Sequence, residues 1–105
     1  MPEIMILRGY KIYFWVNEGM PLEPLHVHIS KNYHHNATKI WITSTGDLII
    51  DNNNDKIPKK ELQKILKIIK SYTNEIATFW KNKFSKISYI DKIIKQNNKD
   101  SKRGR

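Results

Sequence analysis

The phrase LEPLHVHI, residues 22–29, sets two imidazoles on either side of a valine, His26 and His28. On a β-strand, side chains two residues apart leave the same face with Cα atoms about 6 to 7 Å apart, so both rings address one point. Two chemistries fit that arrangement. Paired imidazole nitrogens begin a metal site, which for zinc needs a third protein ligand and then water or a fourth. His34, His35, Glu18, Glu23 and Asp47 are the side chains on offer, none at a diagnostic spacing, so no metal ligand set is assigned and no cofactor is expected. Imidazole also titrates near neutrality and serves as general acid or base, and a pair beside lysine or arginine suits metal-free RNA cleavage. His26 and His28 are therefore the candidate catalytic residues. The structural alternative is a pair of partly buried histidines that satisfy loop carbonyls and fix the loop at Pro24.

A second set of residues shares that face. Tyr10, Ile12, Phe14 and Val16 alternate with Lys11, Tyr13 and Trp15, and Lys39 and Trp41 flank Ile40 in ATKIWIT. If Ile12, Phe14, Ile40 and Ile42 face the core, then Lys11, Tyr13, Trp15, Lys39 and Trp41, with Arg8 nearby, form an outer platform of rings and cations beside the histidines. Such a platform suits single-stranded RNA. An exposed aromatic patch equally marks a protein partner, and that reading is preferred, because a bare sheet face is readily buried in a dimer or a cognate complex. The reverse register, with the aromatics in the core, is the third reading. His34 and His35 fall in the polar turn KNYHHN, where exposed histidines are usually incidental. Asp47, Asp51 and Asp55 lack the ligand spacing and central glycine of a calcium loop. No phosphate-cradling glycine loop, Ser-His-Asp order or helix-borne HExxH is present.

The elements that must position these residues follow from periodicity. Residues 10–16, 26–30, 37–43 and 47–51 read as strands, separated by the proline- and glycine-broken loop 17–24, the KNYHHN turn and the Thr45-Gly46 turn. Short links between successive strands predict an antiparallel meander. From Pro58 the period changes: Leu62, Ile65, Leu66, Ile69, Tyr72, Ile76, Phe79, Trp80 and Phe84 mark one face of a helix over residues 58–84, about 40 Å long. Lys60, Lys64, Lys67, Lys70 and Lys81 take the opposite, wet face. Ile87, Ile90, Ile93 and Ile94 allow one more short helix. The expected architecture is α+β, a four-stranded mainly antiparallel sheet packed on one long amphipathic C-terminal helix. It occupies a single domain, residues 1–95, with a basic disordered tail at 96–105.

Composition bounds the rest. The chain has 105 residues, no cysteine and a formal charge of +9. Disulfides and thiolate chemistry are excluded, and one modest core is expected. No apolar run approaches a membrane span and the start lacks a cleavable leader pattern, so a cytoplasmic protein with no membrane partner is expected. The charge is lopsided: residues 1–55 carry 4 Lys/Arg against 6 Asp/Glu, and residues 56–105 carry 15 against 4. A basic half attracts nucleic acid or acidic partners. Only Arg8, Arg103 and Arg105 among the 19 basic residues are arginine, the type that reads bases bidentately, which favours a solvated lysine face.

The order RGYKIYFWVNEG, LHVHI, ATKIWI and KELQKILKIIKSYTNEIATFWKNKF resembles the small bacterial family catalogued as domain of unknown function 4160, over roughly residues 1–84. Members usually enter the first histidine through Pro-Pro; here Leu25 stands at the second position and the loop is about two residues longer. The resemblance implies a compact α+β fold and a genomic arrangement like a toxin–antitoxin pair, and it implies no mechanism. The expected function is accordingly a small bacterial protein of toxin–antitoxin type acting through a cognate protein partner or as a homo-oligomer, with RNA or the translation machinery as the simplest target. A non-catalytic nucleic-acid-binding regulator and a metal-dependent enzyme using His26 and His28 are the alternatives, so whether the chain is an enzyme stays open.

Overall fold

The computed structural model describes residues 3–15 and 22–93. Val16, Glu18, Ile94 and the 96–105 tail lie outside the described residues. The chain folds as an antiparallel sheet of five strands in sequence order, β1 Glu3–Leu7, β2 Tyr10–Tyr13, β3 His26–Ser30, β4 Thr38–Ile42 and β5 Leu48–Asn52, followed by helices α1 Lys59–Lys70 and α2 Thr73–Phe84. The α+β class and the antiparallel meander stand; the count of four strands and one long helix is corrected to five and two.

The added strand is MPEIMIL, whose apolar start carries no turn signal of the common Asn-Gly kind. It pairs with β2 so that Leu7 faces Tyr10 across a two-residue turn, Arg8-Gly9. Both turn residues have positive φ, 52° and 87°, the backbone that lets a tight hairpin follow the strand twist.

The helix divides at Ser71-Tyr72. There the backbone N–H groups of Ser71 and Tyr72 donate to the carbonyls three residues back, Ile68 at 3.1 Å and Ile69 at 2.9 Å, the tight pattern that closes a helix. The Ser71 hydroxyl takes the Ile68 carbonyl at 2.7 Å as well. Short hydroxyl side chains compete for backbone carbonyls in this way and interrupt helices without any glycine or proline.

Alternation sorts the sheet as expected. Ile12, Phe14, Val27, Ile29, Ile40 and Ile42 point to the helices and join Leu62, Ile65, Ile69, Ile76 and Trp80 in one buried cluster. Ile57 and Leu62, just before and within the first turns of α1, join it too, the positions of a hydrophobic staple. The aromatic end of α2 closes on one ring, Phe14, with Phe79, Trp80 and Phe84 at 5.6, 4.8 and 5.6 Å. Beyond α2 the chain returns: Leu25 N–H donates to the Ser88 carbonyl at 2.8 Å, and Asp91 accepts from both the backbone N–H and the hydroxyl of Ser44. These bonds hold the Asp91 carboxyl below the ordinary carboxylate range. Residues 90–93 form the one further helical turn. No helix of the described residues is long and apolar enough to cross a membrane.

Candidate functional site

β3 places His26 and His28 on the face opposite Val27 and Ile29, and register sets Tyr13 across from His28 and Trp41 across from His26. The side of the sheet is therefore the expected one. Its exposure is not. His26 is 0% and His28 6% exposed, and Tyr13 is fully buried. Lys11, Trp15, Lys39 and Trp41 are partly buried, and of the eight expected site residues only Arg8 is exposed. The expected exposure is corrected for Tyr13 and the two histidines, which are buried, while the other platform residues keep part of their surface.

Among the described residues, two segments cover this face. The KNYHHN turn folds back across the sheet, so that the Tyr33 ring meets Tyr13 edge-on at 4.8 Å and the His35 ring stacks on Trp15 at 5.0 Å. From the helical layer, Trp80 touches both Phe14 and the His26 ring, the latter at 5.2 Å. A continuous set of ring contacts results: His26 packs on Trp41 at 5.6 Å and perpendicular to His28 at 5.1 Å, and His28 lies 5.5 Å from Tyr13. His26 Nδ1 lies 2.9 Å from the Pro24 carbonyl; a carbonyl only accepts, so Nδ1 carries the proton and donates. This is the loop-fixing bond that the structural alternative requires.

Polar contacts pin the covering turn. The Tyr13 hydroxyl and the His34 peptide lie at 3.4 Å through both carbonyl and N–H. Burial pushes the Tyr13 phenol upward, and the Asp55 carboxylate adds to the rise against the His34 backbone bond. His34 Nε2 meets Asp55 Oδ1 at 2.7 Å, and the Asp55 N–H donates to the Thr38 hydroxyl at 3.2 Å, tying the turn to the loop after β5. Tyr33 donates to the Glu3 carboxylate, which drives its phenol up to about 12. Lys11 Nζ reaches the Lys31 carbonyl at 3.3 Å. The turn holds three ring side chains in six residues, Tyr33, His34 and His35, of which Tyr33 and His35 make the ring contacts with the sheet.

The remaining expected residues have partners at the rim. Lys39 pairs with Glu23 and lies 4.2 Å over the Trp41 ring, and Trp41 Nε1 donates to Asp51 at 3.1 Å. Arg8 pairs with Glu61 of α1, which holds that carboxyl low. Among the described residues no three His, Cys, Asp or Glu side chains come together as a metal-binding group. Glu23 and Asp47, two of the candidate third ligands, are engaged by Lys39 and Lys70.

A family model described as domain of unknown function (DUF4160) matches residues 9–81, well over half of the chain. The chain belongs to this family. The DUF4160 match takes in the histidine pair, the covering turn, Asp55 and Trp80, and leaves β1 and Arg8 outside. No curated protein and no solved structure matches the chain. Within the DUF4160 domain, then, the HVHI phrase builds a packed aromatic and imidazole layer. In that layer His26 is 0% and His28 6% exposed.

Proposed function

We propose that the chain is a small bacterial protein of toxin–antitoxin type that works through a cognate protein partner. The observation that carries this reading is the closure of the histidine face. Packing of the candidate acid/base pair among rings favours a role through contacts over one through these imidazoles. Among the exposed large apolar side chains, Ile6, Ile49 and Ile50 lie on the two outer strands of the sheet, while Tyr33, Tyr72 and Ile93 lie on the covering turn and the helical side. Side chains of that kind, left in water, mark surfaces that bind protein. The family resemblance supplies the context of a paired gene.

The test is co-expression with the product of the neighbouring open reading frame. A complex of fixed stoichiometry that survives size exclusion, and relief by the neighbour of any growth arrest caused by the chain alone, is the expected result. Separate elution of the two products sinks the partner reading. So does a growth arrest that vanishes in His26→Asn/His28→Asn protein with an intact near-ultraviolet circular dichroism spectrum.

A non-catalytic nucleic-acid-binding role is the second reading. It is favoured by a groove of about 430 Å³ lined by Arg8, Tyr10, Lys31, Pro58 and Glu61, where the Lys31 ammonium lies 5.4 Å from the Tyr10 ring. Cations beside a ring suit a phosphate chain and its bases. Glu61 already pairs with Arg8 there and offsets part of that charge, so this reading ranks below the first.

A further inference from the structure

β5 closes the sheet on one side, and its outer edge has no strand paired to it among the described residues. The register shows which backbone groups that edge presents. Thr43 N–H donates to the Asp47 carbonyl at 2.9 Å, making this a hydrogen-bonded pair. Antiparallel pairs alternate, so Ile42–Leu48 is a non-bonded pair, and Ile42 N–H indeed turns away from β5 to the Leu25 carbonyl at 3.1 Å. The N–H and C=O groups of Leu48 therefore face outward, and one repeat further so do those of Ile50.

Natural edges are guarded by lysine, proline, bulges or a covering element. LIIDN has neither lysine nor proline, and Ile49 and Ile50 are 43% and 49% exposed. The register shift against β4 falls between its pairings at Ile50 and Asn52, leaving Leu48–Ile50 regular. On the other outer strand, β1, the shift falls between Glu3 and Met5, among its first residues.

Charge selects the occupant. In a chain of net charge +9, residues 41–55 contain no lysine or arginine and three aspartates, Asp47, Asp51 and Asp55. Asp51, which accepts from Trp41 Nε1, and Asp47, which shares its charge with the exposed Lys70 at 3.2 Å, bracket the exposed isoleucines about 13 Å apart along the strand. A second copy fits poorly: it would bring the Asp47 and Asp51 carboxylates of two strands onto one ladder while joining two strongly cationic molecules. We propose that the β5 edge receives an extended segment of a partner protein in which lysine or arginine alternates with apolar side chains. The added strand bonds the outward groups of Leu48 and Ile50 and sets its cations against Asp51 and, in exchange with the exposed Lys70, against Asp47. This deepens, and rests on, the partner reading above.

The probe is an octapeptide of alternating Lys and Val, with alternating Glu and Val as its control. Amide shifts and hydrogen exchange on the whole chain read the site. The Lys-Val peptide is expected to protect the Leu48 and Ile50 amides and to bind more weakly as salt rises; the Glu-Val peptide is expected to do neither. Asp51→Lys should weaken Lys-Val binding about tenfold and gain Glu-Val binding. Ile50→Pro, which removes an outward N–H, should abolish both. Equal binding of the two peptides, protection on β1 instead, or a concentration-dependent dimer that Ile50→Pro dissolves would each overturn the proposal, the last in favour of a second copy. The neighbouring gene product separates the two ideas. If it co-purifies equally with wild type and with Asp51→Lys and Ile50→Pro, the partner stands and the edge falls. If it never co-purifies while Lys-Val binds β5, the edge stands and the cognate pair falls.

Discussion

His26 shows how far a single position can be read from its neighbours in sequence. Strand parity put the two imidazoles on one face and Val27 and Ile29 on the other, and the register agrees. What parity cannot supply is the cover, because the atoms that bury His26 come from Trp41, fifteen residues on, and from Trp80 at the far end of the second helix. Burial of a polar strand face depends on contacts between residues distant in the chain, and these have no local period. The difference is measurable. Removing the ring in His26→Ala leaves a cavity between Trp80, Trp41 and His28 and frees the Pro24 carbonyl, so a loss of about 2 to 4 kcal/mol is expected in urea unfolding. A surface histidine would give a change within about 0.5 kcal/mol, and such a result would place the ring outside the core.

At the scale of elements, the strands and helical stretches with strong periodicity were legible and the joints between them were not. The apolar period of residues 62–84 runs without a gap, so nothing in the hydrophobic pattern marks the break; it lies in the hydroxyl chemistry of Ser71, whose side chain claims the Ile68 carbonyl. The β1 hairpin was missed for a similar reason, since Arg8 tolerates a positive φ without advertising it. The two turn glycines differ in a way that separates backbone from packing. A Cβ at Gly9 meets nothing within 4 Å, whereas one at Gly46 lies 3.1 Å from the Thr73 hydroxyl at the start of α2. Both have left-handed backbones, φ 87° and 82°. Gly9→Ala is therefore expected to cost about 1 kcal/mol, the left-handed penalty alone. Gly46→Ala should cost about 2 kcal/mol, because the β4–β5 turn must also shift against α2. Equal urea midpoints for the two variants would mean that the turn and the helix do not press on each other.

For the whole molecule the decisive property is the separation of charge, an acidic β5 edge on a chain whose second half is cationic. Lys59, Lys60, Lys64, Lys67 and Lys70 all stand on the exposed side of α1, away from Leu62, Ile65 and Ile69, so the amphipathic helix accounts for them without a ligand. Lysines spread in this way attract any polyanion through counterion release and carry no means of reading bases. Binding to a single-stranded oligouridine, followed by fluorescence anisotropy, should then be weak at physiological salt, with a dissociation constant no tighter than about 1 μM, and should fall steeply as salt rises. Oligoadenine should behave alike, and Asp51→Lys, on the opposite kind of surface, should not weaken either. Binding that distinguishes the two oligonucleotides and persists at high salt would require bases to be held against rings. Since Tyr13 is buried and Trp15 and Trp41 are half-covered, the groove at Arg8, Tyr10 and Lys31 would then be the surface to which that specificity belongs.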